Sequence, residues 1–148
     1  MHAASPAPTV AAFVHRTKAP RYLLLRRIAA RGGWWQPVTG RVEATDADAV
    51  AAALREVREE TGIEDALSVL ELGFDQSFTG LDGRRYTERS FAVEVPDDAE
   101  ARASPEHDTL RWMDLDEALA RLHFPANRAA LEALAERLGD RAGGGKRL

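Results

Sequence analysis

No cysteine occurs among the 148 residues, which excludes disulfides, thiol nucleophiles and every cysteine-based metal site. Long apolar runs are missing too, and nothing approaches the roughly 20 residues that span a bilayer. The opening segment MHAASPAPTV has neither the basic start nor the apolar centre of a secretory signal. A cytoplasmic location without membrane association is therefore the expectation. Nor is there an excess of positive charge: 20 Lys and Arg against 24 Asp and Glu leave a net charge of -4. A nucleic-acid-coating protein is usually basic, so no stable nucleic-acid partner is expected. A phosphate-bearing small molecule is not excluded, because a bound divalent cation inverts the local sign.

What is present suits one globular domain with a real core: 45% apolar and 30% charged residues. Residues 1–7 are small and proline-rich and read as a loose terminus. The closing DRAGGGKRL, residues 140–148, reads as a flexible tail, leaving 8–139 as the domain. TVAAFVHR and RYLLLRRI, split by TKAP, predict a strand pair. AARGGWWQPVTGRVEATD holds three glycines and a proline, and predicts a loop with room for one short strand. Further strands are expected at ALSVLELGF, RSFAVEVP and TLRWMDL, and amphipathic helices at DEALARL and ANRAALEALAERLGD. This order argues for a layered α/β or α+β domain.

The clearest helix covers residues 47–61. Thr45 or Asp46 can cap its start, with Asp48 completing a capping box, and Gly62 is placed to end it. At 100° per residue, Glu60 lies about 40° to one side of Glu56 and Glu59 about 60° to the other. Ala53, Val50, Val57 and Leu54 follow as an apolar stripe, so the acids border the face turned to the core. Arg58 points to water, and Arg55 reaches Glu59 at i,i+4. A charged helix face is ordinarily just a solvated one. This one is entered by a glycine-rich loop and closed by Gly-Ile. Three carboxylates at such spacing repel, and oxygen-only ligands of this kind suit Mg2+ or Mn2+. A hard cation there polarises phosphoryl oxygens and acidifies bound water, which points to phosphate chemistry.

GRVEATDADAVAAALREVREETGI, Gly40 to Ile63, resembles the signature of the Nudix hydrolases, G-x5-E-x7-R-E-U-x-E-E-x-G-U with U apolar. Arg55, Glu56, Val57, Glu59, Glu60, Gly62 and Ile63 match its second half. The resemblance implies an α/β/α sandwich with a central mixed sheet, the motif forming a loop-helix-loop. It also implies Mg2+-dependent (or Mn2+-dependent) cleavage of a phosphoanhydride in a small-molecule substrate, and homodimers are frequent in that family. Glu56, Glu59 and Glu60 would hold metal, Glu56 being also the usual acceptor of the water proton, with Arg55 orienting the cluster. Gly40 and Gly62 would shape the motif. The first half departs from the pattern: Asp46 stands six residues after Gly40, and eight residues rather than seven separate it from Arg55. A supporting or capping role is the preferred reading for Asp46.

WWQPVTGRVE is similar to a run in the bacterial dihydroneopterin triphosphate pyrophosphatases, a Nudix branch that also accepts deoxynucleoside triphosphates. The later segments YTERSFAVEVP, SPEHDTLRWMDLDEA and ANRAALEAL keep that branch's order. By the same resemblance Glu106, in the late loop SPEH, would reach back to the metal, with His107 the weaker candidate. Candidate substrate contacts are Trp34 or Trp35 by ring stacking, Gln36 beside them, Glu88 on its strand, and one of Arg26 and Arg27, since strand alternation turns only one to the site. The expected activity is release of pyrophosphate from dihydroneopterin triphosphate or a nucleoside triphosphate. The alternatives are a dinucleoside polyphosphate hydrolase and a catalytically idle, nucleotide-binding Nudix domain.

Overall fold

The computed structural model describes residues 5–141; residues 1–4 and 142–148, most of the two expected loose ends, lie outside them. In chain order the elements are β1 (Ala7–His15), β2 (Tyr22–Arg27), a 3-10 turn (Ala29–Arg31), β3 (Trp35–Gln36), β4 (Val38–Arg41), α1 (Ala49–Thr61), β5 (Ser68–Thr79), β6 (Arg85–Glu94), β7 (His107–Met113), α2 (Leu115–Arg121) and α3 (Pro125–Leu138). All seven strands join one mixed sheet with the path β3-β2-β1-β6-β5, β4 pairing with β1 and β7 with β2.

β1 organises the sheet because it is apolar on both faces, as a strand covered on two sides must be. It runs parallel to β6 along its whole length. Its other edge is shared: residues 9–12 pair with β4 and residues 14–15 with β2, both antiparallel. Alternation then divides the core. Val10, Ala12 and Val14 join Leu23, Leu25, Phe91 and Val93 under α1, against Ala52, Ala53 and Val57. Phe13, Tyr22, Leu24 and Ala92 pack on the opposite side against Leu115 and Ala118 of α2 and Leu131 and Leu134 of α3. Each fully buried leucine contributes about 1.5–3 kcal/mol. The result is the expected helix–sheet–helix sandwich.

Several boundaries differ from the sequence reading. The glycine-rich loop yields two short strands, β3 and β4, interrupted at Pro37, which has no N–H to donate to a ladder. β5 continues past ALSVLELGF to Thr79 and bulges between Glu71 and Asp75, where Gly73 takes φ +77°. Polar residues had masked this long hairpin, although Asp82–Gly83 at its tip is a strong turn signal. Ala7 already belongs to β1. At the other end Asp140 accepts a hydrogen bond from the Tyr22 hydroxyl at 2.7 Å, which ties the chain down past α3.

Candidate active site

α1 starts at Ala49, two residues later than expected, and Asp48 is its N-cap, accepting from the Ala51 N–H at 2.8 Å. Gly62 closes it in the left-handed conformation at φ 77°, where a side chain would be strained. With the extra loop residue taken up before the cap, Asp46 is free of the helix, and neither Thr45 nor Asp46 caps it.

The acids lie deeper than the sequence suggests. Taking Glu56 as zero, the buried face runs from Ala52 at about -40° through Ala49, Glu60 and Ala53 to Val57 at about 100°. Glu56 and Glu60 thus sit inside the buried arc, 8% and 7% exposed, while Val50, assigned to the apolar stripe, is 38% exposed at its margin. Glu59 is exposed. Buried carboxylates need partners.

Arg55 is the partner of Glu56. Its Nε and Nη2 bind both oxygens of Asp46 at 2.9 Å, its Nη1 donates to Glu56 at 2.6 Å and to Glu59 at 3.1 Å, and Nη2 also donates to the Arg41 carbonyl at 2.8 Å. One planar guanidinium therefore ties the entry loop, α1 and β4 together, a geometry that lysine cannot reproduce. The Arg55 side chain holds the Asp46 carboxyl down at about 2. Burial pushes Glu56 the other way, up to about 7, with Glu59 and Glu60 adding repulsion against the pull of Arg55. Gly40 of β4 lies directly over Glu56, and a Cβ built there would overlap the carboxylate. Glycine at this position is what allows β4 and α1 to approach.

Glu60 has its own partners: His107 Nδ1 lies 2.8 Å from its Oε2, and the Ser104 hydroxyl donates to the same oxygen at 2.7 Å. Burial opposes its ionisation, but these hydrogen bonds prevail and hold Glu60 below the usual range. Gln36 Nε2 approaches the far side of His107 at 3.4 Å and donates to Thr39 Oγ1 at 3.3 Å. Sequence reasoning ranked His107 behind Glu106 and missed Ser104. The only signal was their adjacency in SPEH, and pairing of β7 with β2 is what carries them to α1. Glu106 also reaches Glu60 through its carboxyl group, and stands 3.8 Å from Arg31 Nη1.

Strand register decides between the arginines and between the tryptophans. Arg26 is paired with Trp35 and Leu25 with Gln36. Leu25 faces α1, so Gln36, Arg27 and Trp34 share that side, with Arg27 5.7 Å over the Trp34 ring. The Arg27 Nε is buried without a hydrogen-bond partner among the described residues. Trp34 stacks on His123 at 5.1 Å and meets Phe124 edge-on. Arg26 and Trp35 face the α2–α3 side, where Arg26 pairs with Asp108 at 2.8 Å and Trp35 lies between Arg26 and Arg121. Neither is brought to the acidic cluster. Glu88 shares their side of the sheet, aligned with Thr9 and Gln76.

Among the described residues, no three His, Asp or Glu side chains are gathered closely enough to hold a metal ion. Arg55 Nη1, which bonds both Glu56 and Glu59, keeps them occupied. The donor chemistry nevertheless fits a hard divalent cation: the groups are carboxylate oxygens, and Glu59 and Glu60 both repel the charge of Glu56.

A mixed sheet between helices, with an acidic loop-helix-loop set against one strand end, defines the class. The chain belongs to the NUDIX domain family, whose model matches residues 5–134. It is 40% identical over 132 residues to an octanoyltransferase of Myxococcus xanthus, covering 86% of this chain but only 36% of that protein. It is 36% identical over 100 residues to the asymmetrical bis(5'-nucleosyl)-tetraphosphatase of Rattus norvegicus, covering 66% of this chain and 67% of that protein. The solved E. coli dihydroneopterin triphosphate pyrophosphohydrolase superposes with a TM-score of 0.74 at 25% identity, covering 88% of this chain and 95% of that one.

Proposed function

We infer that this chain is a divalent-metal-dependent pyrophosphohydrolase acting on a pterin or nucleoside triphosphate. The observation that carries the reading is the placement of Glu56 and Glu60 in the buried face of α1, each held by separate partners, with Gly40 allowing β4 to close directly over Glu56. Glu56, Glu59, Glu60 and Glu106 would hold Mg2+ or Mn2+, which supplies neutralisation of phosphate oxygens and acidification of a bound water. Glu56 accepts the proton of the water that attacks phosphorus. Arg55 fixes the helix against the loop so that this carboxylate keeps its aim. Arg27, with a donor left open, faces the same side and can bind a phosphate oxygen. The work done by the protein is positioning and charge neutralisation.

A second reading, asymmetric cleavage of a dinucleoside tetraphosphate, is favoured by the 36% identity to the rat tetraphosphatase. Retention of Glu56, Glu59 and Glu60 speaks against an idle domain. One experiment separates the three: purified protein with Mg2+ is assayed on dihydroneopterin triphosphate, the nucleoside triphosphates and diadenosine tetraphosphate, with products resolved by chromatography. Glu59→Gln serves as the control and should lower turnover by about 10^3-fold. Pyrophosphate release from a triphosphate, lost in the control, is the expected result. ATP plus AMP from diadenosine tetraphosphate alone would establish the second reading, and silence on all substrates the idle one.

A further inference from the structure

The sheet face opposite α1 carries a polar pair that the chemistry above leaves unused. Glu88 sits within β6, aligned with Thr9 of β1 and Gln76 of β5, and is 6% exposed. One of its oxygens accepts from Gln76 Nε2 at 2.8 Å. No other described residue donates to the carboxylate: neighbouring Thr9 gives its hydroxyl proton to the Thr87 carbonyl instead. Burial accordingly raises the Glu88 carboxyl above its usual range, opposed by Gln76 alone. Its other oxygen has no protein donor but is not sealed from solvent, since among the described residues Arg27 Nε alone is a buried side-chain N or O atom without a partner, so this oxygen is open to a ligand.

The next pair along the same face is aromatic. Phe78 and Tyr86 stack at 5.4 Å and 21°, the Tyr86 hydroxyl donating to Asp82 at 2.6 Å and accepting from Arg41. Phe78 keeps 37% of its surface open. Arg41 directly follows Gly40, and β4 pairs with β1 alone. Arg41 pairs with Thr9, the neighbour of Glu88 on β1, so β4 reaches the polar and aromatic row on one face and Glu56 on the other.

We propose that Glu88 and Gln76 form the ring-recognition site for the substrate, and that the ring is a 2-amino-4-oxopyrimidine, as in guanine or a pterin. An ionised carboxylate only accepts hydrogen bonds, so it selects an edge that presents donors side by side. Guanine and pterins offer a ring N–H beside an exocyclic amine. Adenine and cytosine set one amine beside a ring acceptor, and hypoxanthine, uracil and thymine have a single N–H there. The aromatic pair then covers one end of the flat ring. This assignment rests on the pyrophosphohydrolase reading and narrows it toward pterin or guanine triphosphates and away from adenine dinucleotides.

The test is calorimetric titration of the full chain with GMP, IMP and AMP, which lack a phosphoanhydride. IMP, missing only the amine, is expected to bind about tenfold more weakly than GMP, and AMP more weakly still. Glu88→Gln should bring GMP and AMP to within about threefold of each other. The wild-type series alone suffices if that variant does not fold. Equal affinity for GMP and AMP, absence of saturable GMP binding, or an unchanged ratio in a folded Glu88→Gln would overturn the assignment. Turnover of dGTP, lost in Glu59→Gln, reports separately on the hydrolase reading. Ring discrimination without turnover sinks that reading and keeps this site, and turnover without discrimination does the reverse.

Discussion

Arg55 touches four carboxylates, those of Glu43, Asp46, Glu56 and Glu59, with its side chain only 13% exposed. Such a hub makes its partners unequal. Asp46 holds the guanidinium from the loop side and reaches the acidic face only through it. Asp46→Ala should therefore lower turnover by about 10- to 100-fold, as loss of an outer partner of a ligand set does, well short of the loss in Glu59→Gln. Equal losses in the two variants would show that Asp46 touches metal or substrate itself. Gly40→Ala tests the other side of the same carboxylate. The added methyl would drive into Glu56, so denaturant unfolding should show a loss of about 1–3 kcal/mol, with turnover reduced more than tenfold. The residue types on α1 and in its entry loop were legible from the motif alone. The depth of Glu56 and Glu60 was not, because it depends on how closely β4 and the 104–107 loop approach α1.

The helix itself behaves as an element whose ends are set locally. Gly62 was readable as its stop because only a left-handed residue continues the chain there. The start was misplaced because Thr45, Asp46 and Asp48 are all competent caps, and tertiary demand for Asp46 at Arg55 leaves the task to Asp48. Asp48→Ala should cost about 1 kcal/mol and lower Tm by about 2–4 °C, leaving turnover per folded molecule unchanged. A loss of turnover with unchanged Tm would mean that Asp48 serves the site and not the helix. β3 and β2 show the same division of labour. Alternation required Arg26 and Arg27 to face opposite sides, but only pairing of Leu25 with Gln36 decided which side each received.

Across the whole molecule, the two cores are joined through β1, and the last described residues are fastened to β2. Tyr22 is 1% exposed, and burial raises its hydroxyl above the ordinary 10.0, helped by the hydrogen bond to Asp140. A raised folded-state value means stability that is complete below pH 10 and lost as the pH climbs toward the folded value. Relative to Tyr22→Phe, the wild type should therefore lose stability above about pH 10 in urea titrations. Parallel pH profiles for the two proteins would show that the Tyr22 hydroxyl is not held in this way.

By itself the sequence determined the residue chemistry and the local elements: an acidic, metal-suited helix ending at Gly62, apolar strands of period two, and a glycine at position 40. These are properties of side chains and short spacings, and short-range physics suffices for them. Tertiary structure alone decided which acids are buried, that His107 and Ser104 meet Glu60, that Arg27 and Trp34 share the side of α1, and that Glu88 lies on the other sheet face. Each of these follows from strand register and the path of distant loops. A one-residue slip in register would exchange the faces without altering any local preference.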